Sequence, residues 1–191
     1  MKTVILDGSH NKKGMTQQMV RSFAENVKDD VKIHSLFSED IKFCNGCQEC
    51  VKPDKETKCW VDDKCEDIKK EALEADVVVF ATPIYEFCVS AAMKRFLERC
   101  LSLATFKLGP APKYKPIKNK VGVIMCSSGA PAPLNKWLGY TRYPKRILRL
   151  GCKFFRCDEI IEIYAGGMML NEKMRDKWLK KVKAAAIRAN E

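Results

Sequence analysis

The sequence predicts an α/β fold, an open sheet of five parallel strands with helices on both faces. Short apolar, β-branched runs recur along the chain, and segments of helical period separate them. Two of the runs, Asp76–Ala81 and Lys120–Met125, are apolar without alternation, as strands covered on both faces must be. A helix between successive strands returns the chain to the same edge and makes their pairing parallel.

Taken in order, Thr3–Leu6 is the first strand, closed by Asp7-Gly8-Ser9, and a helix follows from near Gly14 through Met15, Met19, Phe23 and Val27. Val31–Leu36 alternates as a second strand. Asp63-x-x-Glu66 reads as a capping box that opens a helix through Leu73. Asp76–Ala81 is the third strand, and Val89–Leu103 the helix behind it. After Lys120–Met125, the fourth strand, Pro131–Leu150 has helical period at Leu134, Trp137, Leu138, Ile147 and Leu148, and Pro144 is expected to break or kink it. Within it, Trp137–Leu150 mixes aromatics with cations and is expected to pack a helix on the core with Arg142, Lys145, Arg146 and Arg149 outward; a lid, a partner surface or a membrane-surface contact is the alternative. Ile160–Tyr164 and Met174–Ile187 complete the pattern as strand and helix.

The chain has 191 residues, 46% of them hydrophobic, and no linker or low-complexity tract, so one domain over residues 1–191 is expected. The N-terminal apolar run is too short for a signal peptide, and no later stretch is long enough to cross a bilayer; a cytoplasmic protein with no transmembrane segment is expected. In that setting ten cysteines read as reduced thiols and metal ligands rather than disulfides. The net charge of +11 is uneven: residues 1–100 carry 16 basic and 18 acidic side chains, residues 101–191 carry 19 and 6, and there is no acid between Arg99 and Cys157. Such a surface attracts anions, among them an acidic redox protein or a phosphorylated cofactor. No nucleic-acid motif is present, and none is expected as a partner.

Cys44, Cys47 and Cys50 fall within seven residues, followed by Cys59, in a loop at about residues 43–60. A triplet spaced C-x2-C-x2-C wraps three sulfurs around one inorganic core while a fourth arrives from the far end, which predicts a [4Fe–4S] cluster. Zinc is the rival, although structural zinc favours two separated knuckles, and ordinary buried or redox-labile thiols are the third possibility. The final gap is longer than in ferredoxin-type runs, and Trp60 stands where those have proline.

Three loops follow the carboxyl ends of strands, where ligands bind in open parallel sheets. Gly8-Ser9-His10-Asn11-Lys12-Lys13-Gly14-Met15-Thr16 leads onto a helix N-terminus, which suits a phosphate. It is neither a Walker A loop nor G-x-G-x-x-G, so a nucleoside triphosphatase or a dinucleotide dehydrogenase is not expected. A plain capping turn is the alternative. Thr82-Pro83-Ile84-Tyr85-Glu86-Phe87-Cys88 offers an apolar wall for a planar ring, and Ser127-Ser128-Gly129-Ala130-Pro131 offers small residues beside backbone donors. Together they describe a flavin mononucleotide (FMN) site.

These segments, with Ala75-Asp76 and Ser90-Ala91-x-Met93-Lys94-x-Phe96-x-Glu98-Arg99, resemble the NADPH-dependent FMN reductases of the flavodoxin-like group over residues 3–129; the cysteine loop, with Asp62-Asp63 beyond it, resembles that of the iron–sulfur flavoproteins within it. The resemblance implies strand order 2-1-3-4-5. It implies FMN with its phosphate held by Ser9, Asn11, Gly14, Met15 and Thr16, and its ring bounded by Pro83, Ile84, Tyr85, Glu86, Phe87, Ser127, Ser128 and Gly129. It also implies a [4Fe–4S] cluster on Cys44, Cys47, Cys50 and Cys59, and a homodimer or homotetramer. The expected activity is electron transfer between a one-electron donor such as ferredoxin and an acceptor served by the flavin. The alternative is an NAD(P)H-dependent flavin or quinone reductase without a cluster. No side chain is nominated as a catalytic acid or base, and His10 and His34 are expected to be structural or phosphate-adjacent. Cys65, Cys88, Cys100, Cys126, Cys152 and Cys157 are expected to be mostly buried small hydrophobes, with a dithiol relay as the alternative.

Overall fold

The computed structural model describes residues 1–27, 30–52, 58–104, 114–167 and 172–191. Five strands form the expected parallel sheet: β1 (Lys2–Asp7), β2 (Asp30–Ser35), β3 (Val77–Tyr85), β5 (Val121–Ser127) and β6 (Glu159–Ala165), ordered β2-β1-β3-β5-β6. The helices are α1 (Met15–Ala24), α2 (Cys65–Glu74), α3 (Ala91–Arg99), α4 (Leu134–Trp137), α5 (Arg142–Phe154) and α6 (Glu172–Ala189). Side chains alternate across the sheet, so Val4 and Leu6 enter the core under α2, α3 and α5, while Ile5 enters the core under α1 and α6. β5 is buried along its whole length and β3 as far as Ile84, which is why neither alternates in sequence.

The sheet has a sixth strand that the sequence pattern concealed. β3 runs on through Thr82-Pro83-Ile84-Tyr85, read above as loop, and turns back into the two-residue β4 (Cys88–Val89), paired antiparallel to it. The two turn residues, Glu86 and Phe87, both hold positive φ (44° and 62°). That is the geometry of a tight primed turn, usually reserved for glycine or asparagine.

Three local expectations are corrected. Asp63 and Glu66 do not form a capping box: α2 starts at Cys65, Asp63 accepts from the Cys65 N–H (2.8 Å), and Glu66 reaches instead to the Cys59 N–H (3.2 Å). The helix after β3 is shorter than Val89–Leu103; Ser90 caps it through the Met93 N–H, and Cys100–Leu103 tightens into a 3-10 turn. Pro144 breaks nothing, because it lies in the first turn of α5, where its missing N–H costs no intrahelical bond. The break falls earlier, at Gly139 (φ +80°).

α5 buries Pro144, Leu148, Gly151 and Cys152, one stripe of a helix. Trp137 does not pack inward as expected; it is 81% exposed, and Leu138 and Tyr143 are exposed with it. Among the described residues no helix is long and apolar enough to cross a membrane.

Candidate functional site

At the carboxyl rim of the sheet, β1 ends in a buried Asp7 whose carboxylate accepts from the Ser9 N–H (2.9 Å) and from Gln17. Burial pushes its pKa up, against those two hydrogen bonds. The loop then folds on itself: Gly14 N–H donates to the Asn11 carbonyl (2.9 Å), and Lys13 N–H to the Asn11 side chain (3.1 Å). Gly14 is the N-cap of α1, and no side chain caps that end. Met15, Thr16 and Gln17 therefore present first-turn N–H groups that have no intrahelical acceptor. His10 leans on Phe37 with ring centroids 4.0 Å apart, which covers one side of the loop.

The loops are knitted together behind this rim. Ser90 Oγ donates to the Gly8 carbonyl (2.7 Å), and the Ser90 N–H donates to Thr82 Oγ1 (3.0 Å). Thr16 Oγ1 and Ser127 Oγ share a hydrogen bond of 2.8 Å, joining the first turn of α1 to the end of β5. Ser128 is buried; its N–H donates to the Ala165 carbonyl (2.8 Å), and its hydroxyl accepts from Asn135 (3.3 Å). Phe87 stacks on Tyr140 at 4.3 Å, carrying the turn after β3 against the segment between α4 and α5.

The structure thus brings the residues of the three predicted loops to one end of the sheet. Ser9, Met15, Thr16, Pro83, Ile84, Ser127 and Ser128 are buried there, Gly14 is half-buried, and Asn11, Tyr85, Glu86, Phe87 and Gly129 are exposed. Sequence reasoning missed Asp7, Gln17, Ser90, Asn135 and Tyr140, which tie the loops; each bond joins positions too far apart in the chain, or too plain in type, to leave a local signal. His34 is structural, held between Glu39 (3.3 Å) and Glu71 (2.7 Å).

Gly8 is required by this joint, since a Cβ there would stand 2.8 Å from Ser90 Oγ and 3.0 Å from Met93 Cβ. Met93 Cβ belongs to a helix and cannot swing aside. Gly8→Ala is expected to cost about 1–3 kcal/mol in urea unfolding, as overpacking does; a loss below a few tenths would show that the loops are not held by close approach.

The cysteine loop lies beside α3. Cys44 and Cys47 are exposed, Cys50 is half-buried and Cys59 is buried. Gly46 and Gln48 both adopt left-handed backbone (φ 68° and 59°) and curl the segment between the first three thiols. Burial, then the neighbouring Cys59, Cys47 and Cys44 thiols, push the Cys50 thiol up, so the four sulfurs share one electrostatic neighbourhood. Among the described residues no three histidines, cysteines or carboxylates already close on one ion. A cleft of about 800 Å³ opens next to Cys59, edged by Lys42, Lys58, Trp60 and Asp62.

Arg99 organises the loop's base and was not singled out as a site residue from sequence. It is only 2% exposed; its Nε donates to Cys59 Sγ (3.2 Å), and its Nη atoms donate to Asp63 Oδ2 (2.6 Å) and to the carbonyls of Lys42 (3.0 Å) and Val61 (3.1 Å). Asp63 also accepts from the Lys42 N–H (2.9 Å), so the pair ties the entry of the loop to its exit. Burial alone would raise the Asp63 carboxyl, but Arg99 and the backbone N–H groups of Lys42 and Cys65 hold it below the ordinary range.

The profile of a family described as NADPH-dependent FMN reductase matches residues 1–136. An iron-sulfur flavoprotein of Archaeoglobus fulgidus is 32% identical over 132 residues, which cover 68% of this chain and 60% of that protein. An iron-sulfur flavoprotein of Methanocaldococcus jannaschii is 29% identical over 102 residues, covering 52% of this chain and 51% of that one. The chain spans about half the length of most of the curated relatives it matches. Among solved structures, NAD(P)H:quinone oxidoreductase from Methanothermobacter marburgensis superposes with a TM-score of 0.79 at 16% identity, over 100% of this chain and 98% of that one. An FMN-dependent NADH-azoreductase from Bacillus anthracis in complex with FMN gives 0.70 at 13% identity, over 100% and 99%. At such identities these likenesses show the fold alone.

Proposed function

The chain belongs to the NADPH-dependent FMN reductase family, and from that premise we propose that it is an FMN-dependent oxidoreductase whose cysteine loop carries a [4Fe–4S] cluster. What carries the flavin assignment is the Thr16–Ser127 hydrogen bond of 2.8 Å, which sets an uncapped helix N-terminus against the end of a central strand. The residues fit the group: the free N–H groups of α1's first turn, with Ser9 and Asn11, suit a phosphate dianion. Pro83 and Ile84 would give the ring an apolar floor, the Phe87–Tyr140 stack would stand beside it, and the backbone at Ser127 and Gly129 would face its polar edge.

Two features support the cluster: the common neighbourhood of four thiols about Cys50, and a guanidinium donating to Cys59 Sγ. A hydrogen bond from a cation to a ligand sulfur orients it and stabilises its negative charge. The names of the curated relatives point the same way. When bound, FMN supplies two-electron exchange with a hydride donor, and a cluster supplies single-electron exchange. In this proposal NAD(P)H or an acidic ferredoxin is the donor, the latter drawn by the acid-free stretch from Cys100 to Cys157.

The test is composition and donor use of the full chain purified without air. About one FMN and about four irons with four acid-labile sulfides per chain are expected. Failure to bind added FMN overturns the flavin assignment. FMN without iron, together with direct NAD(P)H oxidation, overturns the cluster and leaves a plain flavin or quinone reductase.

A further inference from the structure

The end of α5 brings two thiols together far from the candidate flavin site. The Cys157 N–H donates to the Cys152 carbonyl (3.0 Å), the Arg156 N–H donates to the Lys153 carbonyl (3.0 Å), and Arg156 between them is left-handed (φ +61°). This nested pair of bonds is the Schellman helix end, in which side chains at the two ends of the motif meet, usually as an apolar contact. Here both are thiols. Their sulfurs converge over Gly122 of β5: a Cβ there would stand 2.8 Å from Cys152 Sγ and 3.1 Å from Cys157 Sγ.

A cation stands beside them. Lys120 is buried, and its Nζ donates to the carbonyls of Ala72 (2.8 Å) and Leu73 (2.6 Å) at the end of α2. Burial draws its pKa down to about 8, which leaves the ammonium the main form at neutral pH. The hydrogen bond from Cys152, and then the Lys120 charge, lower the Cys157 pKa against the effect of its burial, while Cys152, which supplies that hydrogen bond, is pushed well up. Cys157, the less buried of the two and the one beside the Lys120 charge, is the sulfur an oxidant meets first, and the fully buried Cys152 is its resolving partner. Lys120 and Asp158 line a cleft of about 700 Å³ at the amino ends of the strands; Cys157, next to Asp158 in the chain, is 7% exposed, and Cys152 is fully buried.

We propose that Cys152 and Cys157 are a redox-active dithiol that hydrogen peroxide closes to an intramolecular disulfide, Cys157 attacking and Cys152 resolving. In the first step the Cys157 thiolate attacks one peroxide oxygen, the O–O bond breaks, and hydroxide leaves to take up a proton as water. In the second, Cys152 sulfur attacks the sulfenic sulfur of Cys157, the S–O bond breaks, and the Cys152 proton departs with the hydroxyl as a second water. Two thiols and one peroxide thus give one disulfide and two waters, and an external dithiol reverses the bond by exchange. Neither flavin nor iron takes part.

The experiment treats the full chain with hydrogen peroxide, alkylates remaining free thiols, and digests without reductant. Trypsin cuts after Lys153 and Arg156, so the two cysteines fall on peptides 150–153 and 157–173 and stay together only if bonded. The linked pair, lighter by two hydrogens than the sum of the free peptides and released by dithiothreitol, is the expected product. In Cys152→Ser, dimedone is expected to label Cys157, and Lys120→Met is expected to slow the labelling about tenfold. The proposal is overturned if both peptides remain alkylated at peroxide doses that oxidise the exposed Met1. It is equally overturned if dimedone labels Cys152 of Cys157→Ser as readily as Cys157 of Cys152→Ser.

Discussion

Arg99→Met is expected to lower global stability by about 3–5 kcal/mol and to release the base of the cysteine loop, because it strands the Asp63 carboxylate in a buried site without its cation. Asp63 and Arg99 side chains are both fully buried, and the guanidinium answers four acceptors at once: the carboxylate, two carbonyls and Cys59 Sγ. Urea unfolding measures the loss directly. The double variant Arg99→Met with Asp63→Leu removes both charges and is expected to recover most of it, since an apolar pair of similar volume avoids the desolvation of two ions. Recovery of stability without recovery of iron loading would separate the fold's need for the pair from the loop's need for a cation at Cys59.

The same pair sets an acid limit. The Asp63 carboxyl is held below its ordinary value of 3.8, so the stabilisation it brings is complete above that value and is lost as pH falls through the lower, folded one. Denaturation midpoints of the double variant should therefore fall less steeply below pH 3.8 than those of the parent. Equal slopes would mean that other carboxylates govern the acid transition.

The fold was legible because it rests on period. Every strand of the parallel sheet and every long helix left an unbroken apolar run, an alternation of period two or a stripe at helical spacing. What was not legible has a local physical cause. The hairpin at Glu86–Phe87 uses left-handed backbone at two residues whose side chains give no sign of it, so a strand of nine residues read as six residues followed by a loop. Pro144 misled because proline signals a break only inside a helix, not in its first turn. The site followed the same division. Glycines, hydroxyls and clustered cysteines mark themselves, and the three rim loops lie at one end of the sheet; Ser90 and Arg99 act by reaching across the fold, 82 and 36 residues away, which no spacing in one chain encodes, while Asp7 and Asn135 make shorter-range bonds of a kind common in any loop.

FMN is expected to bind about a thousandfold more tightly than riboflavin, on the proposal that the phosphate sits in the loop from Ser9 to Thr16. The two flavins share a ring and ribityl chain, so their difference isolates the phosphate. Each charge-assisted hydrogen bond from a backbone N–H is worth about 1.5–3 kcal/mol, and two or three of them amount to about 3–9 kcal/mol before the dianion's desolvation is subtracted. A surplus of about 4 kcal/mol is a factor of about a thousand. The buried Asp7 bears on the sign, because a carboxylate so near would repel the phosphate; its oxygens are turned instead to the Ser9 N–H and Gln17, and burial favours its neutral form. Titration of the flavin-free chain, followed by quenching of flavin fluorescence, gives both constants. Equal affinity for the two flavins would place the phosphate in solvent, and with it the loop's role would fall, while the ring contacts at Pro83 and Ser127 would stand.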